Sequence, residues 1–120
     1  MKNYLNKELI AKVGAIYEET PYDNPCTGSE IFLVFIFNKK DVKVYEKLIS
    51  TCGKESVNGI GTYNWTLLCN KKIKIDFIPE QTKGTYAEHL FLELRDKQLV
   101  GRITHLNGKV LEYIFNEKMK

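Results

Sequence analysis

Arginine is almost missing from this chain. Of 18 basic side chains only Arg95 and Arg102 are arginine; 15 acidic residues oppose them, leaving a net charge of +3. Guanidinium is the group that reads phosphates and guanine edges in bidentate fashion, whereas lysine is a point charge. A lysine-rich surface at this small net charge is a solubility device rather than a nucleic-acid footprint. Cysteine is also scarce. Cys26, Cys52 and Cys69 make an odd number with no C-x-x-C spacing, which excludes a complete disulfide framework but leaves room for one bridge and one free thiol.

Long apolar runs are absent as well. The longest, Ile31 to Phe37, falls far short of the ~20 residues a membrane-spanning helix needs. The start of the chain has neither an uninterrupted apolar stretch nor a small-residue cleavage site, so no export signal and no membrane association are expected. A reducing, cytoplasmic setting follows as the expectation. The Cys and His positions, 26, 52, 69, 89 and 105, lack the close pairs from which structural zinc sites are built. Gly59-Ile60-Gly61-Thr62 leads into an expected strand, not the helix N-terminus that a phosphate cradle requires. No metal and no cofactor are therefore expected.

What is present suits one domain over residues 1–120: 43% hydrophobic, 12% aromatic and 28% charged residues in a 120-residue chain. Residues 3–12 carry a helical pattern through Leu5, Leu9 and Ile10, with Val13 to Tyr17 continuing as a strand. Residues 20–29, with two prolines, Asp23-Asn24 and Gly28, read as a loop. Ile31 to Phe37 is apolar on both faces and reads as a covered strand. Asp41 then caps an expected helix from Val42 to Thr51, because Val42, Tyr45, Leu48, Ile49 and Cys52 recur at helical spacing and Gly53 sits at its end.

After a glycine-bearing loop at 53–61, alternation predicts strands at Thr62 to Cys69 and Ile73 to Ile78. Three antiparallel strands follow between Glu88 and Phe115, the last two joined at Asn107-Gly108. A helix from Ala87 to Leu94 competes with the first of these. The sum is an α+β domain: one mostly antiparallel sheet of five to seven strands, with one or two helices packed on one face. Cys52, Cys69, Tyr63 and Trp65 are expected in the core, and Cys26 in its loop is the thiol expected to react.

Two groups of residues could carry function. On the expected strand 88–95, His89, Glu93 and Arg95 lie two and four residues apart and share a face. With His105 they could supply the base, acid and cation of a metal-independent ribonuclease. An ordinary polar strand face explains the same residues. The other group is the stretch 18–30, which holds Glu18, Glu19, Asp23 and Glu30 without a single Lys or Arg. Tyr17 beside it and Tyr22 within it could serve as anchors, and acidic steering with a tyrosine anchor suits a basic protein surface.

In size, in its lysine-, asparagine- and isoleucine-rich usage and in its expected sheet-and-helix layout, the chain resembles small bacterial immunity proteins. These neutralise one cognate toxin, as in contact-dependent inhibition systems. The resemblance implies a non-enzymatic inhibitor that binds a protein partner. Many such inhibitors are acidic, so a chain at +3 would have to cluster its acids locally, as residues 18–30 do. The alternatives are the small ribonuclease and a lysine-rich nucleic-acid binder, the latter not favoured by the charge balance.

Overall fold

The structure, a computed structural model, describes residues 5–17, 28–95, 98–104 and 108–117. Eight strands run in chain order around a closed, wholly antiparallel barrel. They are β1 (Glu8–Tyr17), β2 (Gly28–Phe37), β3 (Asp41–Ser50), β4 (Glu55–Leu67), β5 (Lys72–Ile75), β6 (Phe91–Arg95), β7 (Gln98–Thr104) and β8 (Val110–Glu117). Among the described residues the one helix is short, α1 (Pro79–Thr82) in the β5–β6 connection. The barrel replaces the expected α+β domain with its sheet of five to seven strands.

Inward positions alternate along each strand, as the pleat requires. Leu9 and Ala11 of β1, Leu33, Phe35 and Phe37 of β2, Val42 and Val44 of β3 and Phe115 of β8 meet in one buried cluster. An eight-stranded barrel has an interior just wide enough to be filled by side chains. Here aromatic rings contact one another within a largely aliphatic filling. Phe35 lies edge-on to Phe115 at 5.2 Å, Phe37 edge-on to Trp65 at 5.1 Å, and Tyr63 edge-on to Phe77 at 5.2 Å. Tyr63 and Trp65 therefore belong to the interior, as their alternation suggested.

The expected helix at 42–51 is β3, paired along its length with β2 and β4. Val42, Val44 and Glu46 point inward in register with Phe37, Phe35 and Leu33, while Lys43, Tyr45 and Lys47 point outward. An inward glutamate and an outward tyrosine broke the two-residue alternation, and the remaining apolar positions mimicked helical spacing. Residues 8–12, expected to end a helix, are likewise strand, continuous with the strand expected at 13–17. The loop expected at 53–61 is a short turn followed by the first half of β4. Gly59 and Gly61 flank a bulge at Ile60 within that strand, where a Cβ on Gly61 would lie 2.4 Å from the Tyr63 hydroxyl.

Residues 83–89 turn, and only Phe91–Arg95 is strand, so the competing helix at 87–94 is absent. The β7–β8 hairpin is formed as expected, and Gly108 adopts φ of +82° in its turn. Cys52, expected on a buried helix face, lies in the exposed turn after β3 and is disulfide-bonded. Cys69, expected in the core, is a free thiol in the exposed β4–β5 turn. Cys26 lies outside the described residues.

Candidate functional site

Two seams of the barrel wall are short, β1–β8 and β5–β6, with two register pairs each. At the second, Lys72–Glu93 and Ile73–Leu92 pair, followed by one further bond from the Leu94 amide to the Lys71 carbonyl. Beyond Ile75 the chain leaves the sheet, and residues 76–90 cross to β6 over one end of the barrel. Pro79 starts α1, its missing N–H costing nothing at a helix N-terminus. This crossing segment is tied down from three sides. The inward-facing Glu46 carboxylate accepts the Tyr86 amide at 3.0 Å and the Asn58 side chain at 3.2 Å. Tyr63 donates its hydroxyl to Gln81 at 2.9 Å, and burial holds the Tyr63 phenol above its usual pKa. A Cβ on Gly14 of β1 would come within 2.5 Å of the Tyr86 hydroxyl, so only glycine admits that ring.

Parting β5 from the crossing segment leaves a seam with two continuous lobes. The inner lobe, about 370 Å³, has the core side chains Ile73, Ala87, Leu90 and Leu92 as its floor and Lys74, Glu88 and His89 at its rim. The outer lobe, about 510 Å³, lies between Leu68, Lys72, Lys74, Phe91, Glu93 and Arg102. Ile73, Lys74, Phe91 and Leu92 line both lobes. Phe91 stands 71% exposed where they join, the most exposed large apolar side chain described. The seam is thus floored by buried core side chains with Phe91 exposed beside them, and volumes of this size suit a small ligand.

His89, Glu93 and Arg95 do not share a strand face. His89 precedes β6 in a left-handed conformation, φ +61°, with its side chain 79% exposed and 3.9 Å from Glu88. Glu93 and Arg95 do point outward together, but as parts of a closed charge network. Arg95 bonds Glu93 and lies 3.1 Å from Glu112; Arg102 lies 3.3 Å from Glu93 and 3.2 Å from Glu112. Glu112 and then Glu93 raise the pKa of Arg95, and Arg95 chiefly lowers that of Glu112. Val100 sits opposite Glu93 and Ile114 on this outer face and is only 3% exposed. The quartet is therefore a surface brace, and Glu93 is engaged as an ion-pair partner rather than held ready as a general base.

His105 lies outside the described residues, as do Glu18, Glu19, Tyr22 and Asp23; of Tyr17 only the backbone is described, ending β1. Glu30 is exposed on β2 and pairs with Lys12 at 3.3 Å. Among the described residues no group of three His, Cys, Asp or Glu side chains is placed to hold a metal ion. Sequence reasoning missed the seam because its floor is made of separate strands and turns. One local signal was present: Phe91 falls between two inward positions, Leu90 and Leu92, where an alternating strand faces water. No family model, curated protein or solved structure matches the chain.

Proposed function

We propose that this barrel is a binding protein whose β5–β6 seam takes a small apolar ligand. The observation that carries the reading is the opened wall: two register pairs between β5 and β6, with core side chains as the floor. The separation of His89 from the Glu93–Arg95 network argues for binding over ribonuclease chemistry at these residues. The neutral fluorophore N-phenyl-1-naphthylamine tests the proposal. It should brighten saturably at one molecule per chain. Phe91→Ser should weaken its affinity by about tenfold, a fraction of the ~2 kcal/mol that a phenylalanine gains on burial. Since Phe91 is exposed, the variant should keep the wild-type melting temperature. No saturable uptake, or equal affinity in the variant, would sink the reading.

Neutralisation of a cognate protein toxin is the second reading, supported by the outer face of β6–β8. Phe91 and Ile114 are 71% and 50% exposed there beside an arginine–glutamate network, and aromatic and arginine anchors dominate protein hot spots. The partner-binding role of Tyr17, Glu18, Glu19, Tyr22, Asp23 and Glu30 belongs to this reading. Tyr22→Ala combined with Asp23→Lys should then weaken capture of a cognate toxin without lowering the melting temperature; unchanged capture would remove the 18–30 stretch from the interface. No described helix is long and apolar enough to cross a membrane. In place of the cytoplasm we propose an oxidising compartment, the setting in which a disulfide such as that of Cys52 persists.

A further inference from the structure

We infer that the seam selects single-chain amphiphiles with an anionic head, carboxylate or phosphate, and that Lys72 and Lys74 hold that head. The inference rests on the seam being a ligand site and adds the class of ligand. Lys72 and Lys74 are two residues apart on β5, so both point outward at the mouth of the outer lobe, about 7 Å apart along the strand. Both are exposed. Among the described residues neither has a carboxylate within ion-pair distance, although Lys72 stands opposite Glu93 in register.

Glu93 is turned instead toward Arg95 and Arg102, whose guanidinium groups occupy its carboxylate. The lobe's one acidic side chain is thus already neutralised, while its two lysines retain their donors for an incoming anion. Behind them the floor of Ile73 and Leu92 is 6% and 3% exposed and wholly apolar. Cations at the mouth over an apolar floor complement a ligand with one charged end and one greasy end. A neutral chain would leave both ammonium groups with water, and a cationic chain would be repelled.

Displacement of N-phenyl-1-naphthylamine by four twelve-carbon chains below their micelle concentrations tests this. Dodecanoate and dodecyl phosphate should displace the probe at concentrations about tenfold lower than dodecanol, and dodecyltrimethylammonium should be the weakest. In the Lys72→Gln, Lys74→Gln double variant, melting like wild type, the advantage of dodecanoate over dodecanol should shrink to about twofold or less. Raising the salt from about 0.05 M to about 0.5 M should narrow the same ratio in the wild type. Equal displacement by all four chains, or an unchanged ratio in the double variant, overturns the head-group assignment while the seam still binds. A probe that is never taken up overturns the seam reading itself, and this inference with it.

Discussion

Phe35→Ala is expected to lower the unfolding free energy by about 4 kcal/mol, the middle of the range for truncating a buried phenylalanine. Phe35 is fully buried at the middle of β2. Its ring is stacked with Phe37 at 6.0 Å and edge-on to Phe115 at 5.2 Å. On the flanking strands Leu9 and Val44, themselves almost fully buried, stand opposite it in register. A closed barrel cannot slide its strands together to refill the space, because the ladder on both sides fixes their separation. Domains of this kind are stable by only about 5–15 kcal/mol, so the loss is a large fraction of the total. Urea unfolding followed by tryptophan fluorescence from Trp65 would measure it. A loss under about 1 kcal/mol would mean that the barrel interior is not packed as described.

Glu8→Ala is expected to cost about 3 kcal/mol near neutral pH, because it removes a carboxylate that the buried Lys47 ammonium and the Tyr45 hydroxyl both bond. Glu8 Oε1 on β1 accepts the Tyr45 hydroxyl at 2.5 Å and the Lys47 ammonium at 3.0 Å, both reaching across β2. The Lys47 side chain is only 6% exposed. Beneath the three, Val34 of β2 is fully buried although it points away from the barrel interior. Glu8→Gln keeps an acceptor for Tyr45 and should cost about half as much.

The same cluster gives the protein an alkaline limit. Burial, then the hydrogen bond to Glu8, pushes the Tyr45 phenol from 10.0 up to about 12. The folded state therefore holds this proton more tightly than the unfolded chain. The stability linked to it is complete below pH 10 and is lost as the pH rises through 12, by about 3 kcal/mol in all. Tyr45→Phe should flatten the decline of the melting temperature between pH 10 and pH 12 relative to wild type. Parallel curves for the two proteins would refute the assignment.

Strands that obey one simple rule were legible from the chain. Ile31 to Phe37, apolar on both faces, is a strand buried on both faces, since Val34 has its own cover outside the barrel. The β7–β8 hairpin follows from Asn107-Gly108 flanked by alternating residues. The interior positions of Tyr63 and Trp65 follow from period two. The helix expected at 42–51 failed for a specific reason. Residues such as Glu46 and Tyr45 occupy faces that their polarity alone would not assign. Glu46 faces inward because the Tyr86 amide and Asn58 satisfy its oxygens, and those partners lie 12 and 40 residues away in sequence. Gly59 and Gly61 read as a turn because glycine permits turns, but here they admit a bulge and the Tyr63 ring.

By itself the sequence determined the antiparallel character of the sheet, because hairpin turns and alternation are local properties written into neighbouring residues. It also determined that arginine would act at only two points, and both lie in one network on β6 and β7. Closure into a barrel was decided only in three dimensions, by the pairing of Leu9 and Ile10 with Glu117 and Asn116 at opposite ends of the chain. So was the seam. It exists because β5 is short and the crossing segment is tied to Glu46, Tyr63 and Gly14 instead of to β5. Contacts between residues far apart in sequence leave no periodic trace along the chain, and a site built from them appears only when the strands are assembled.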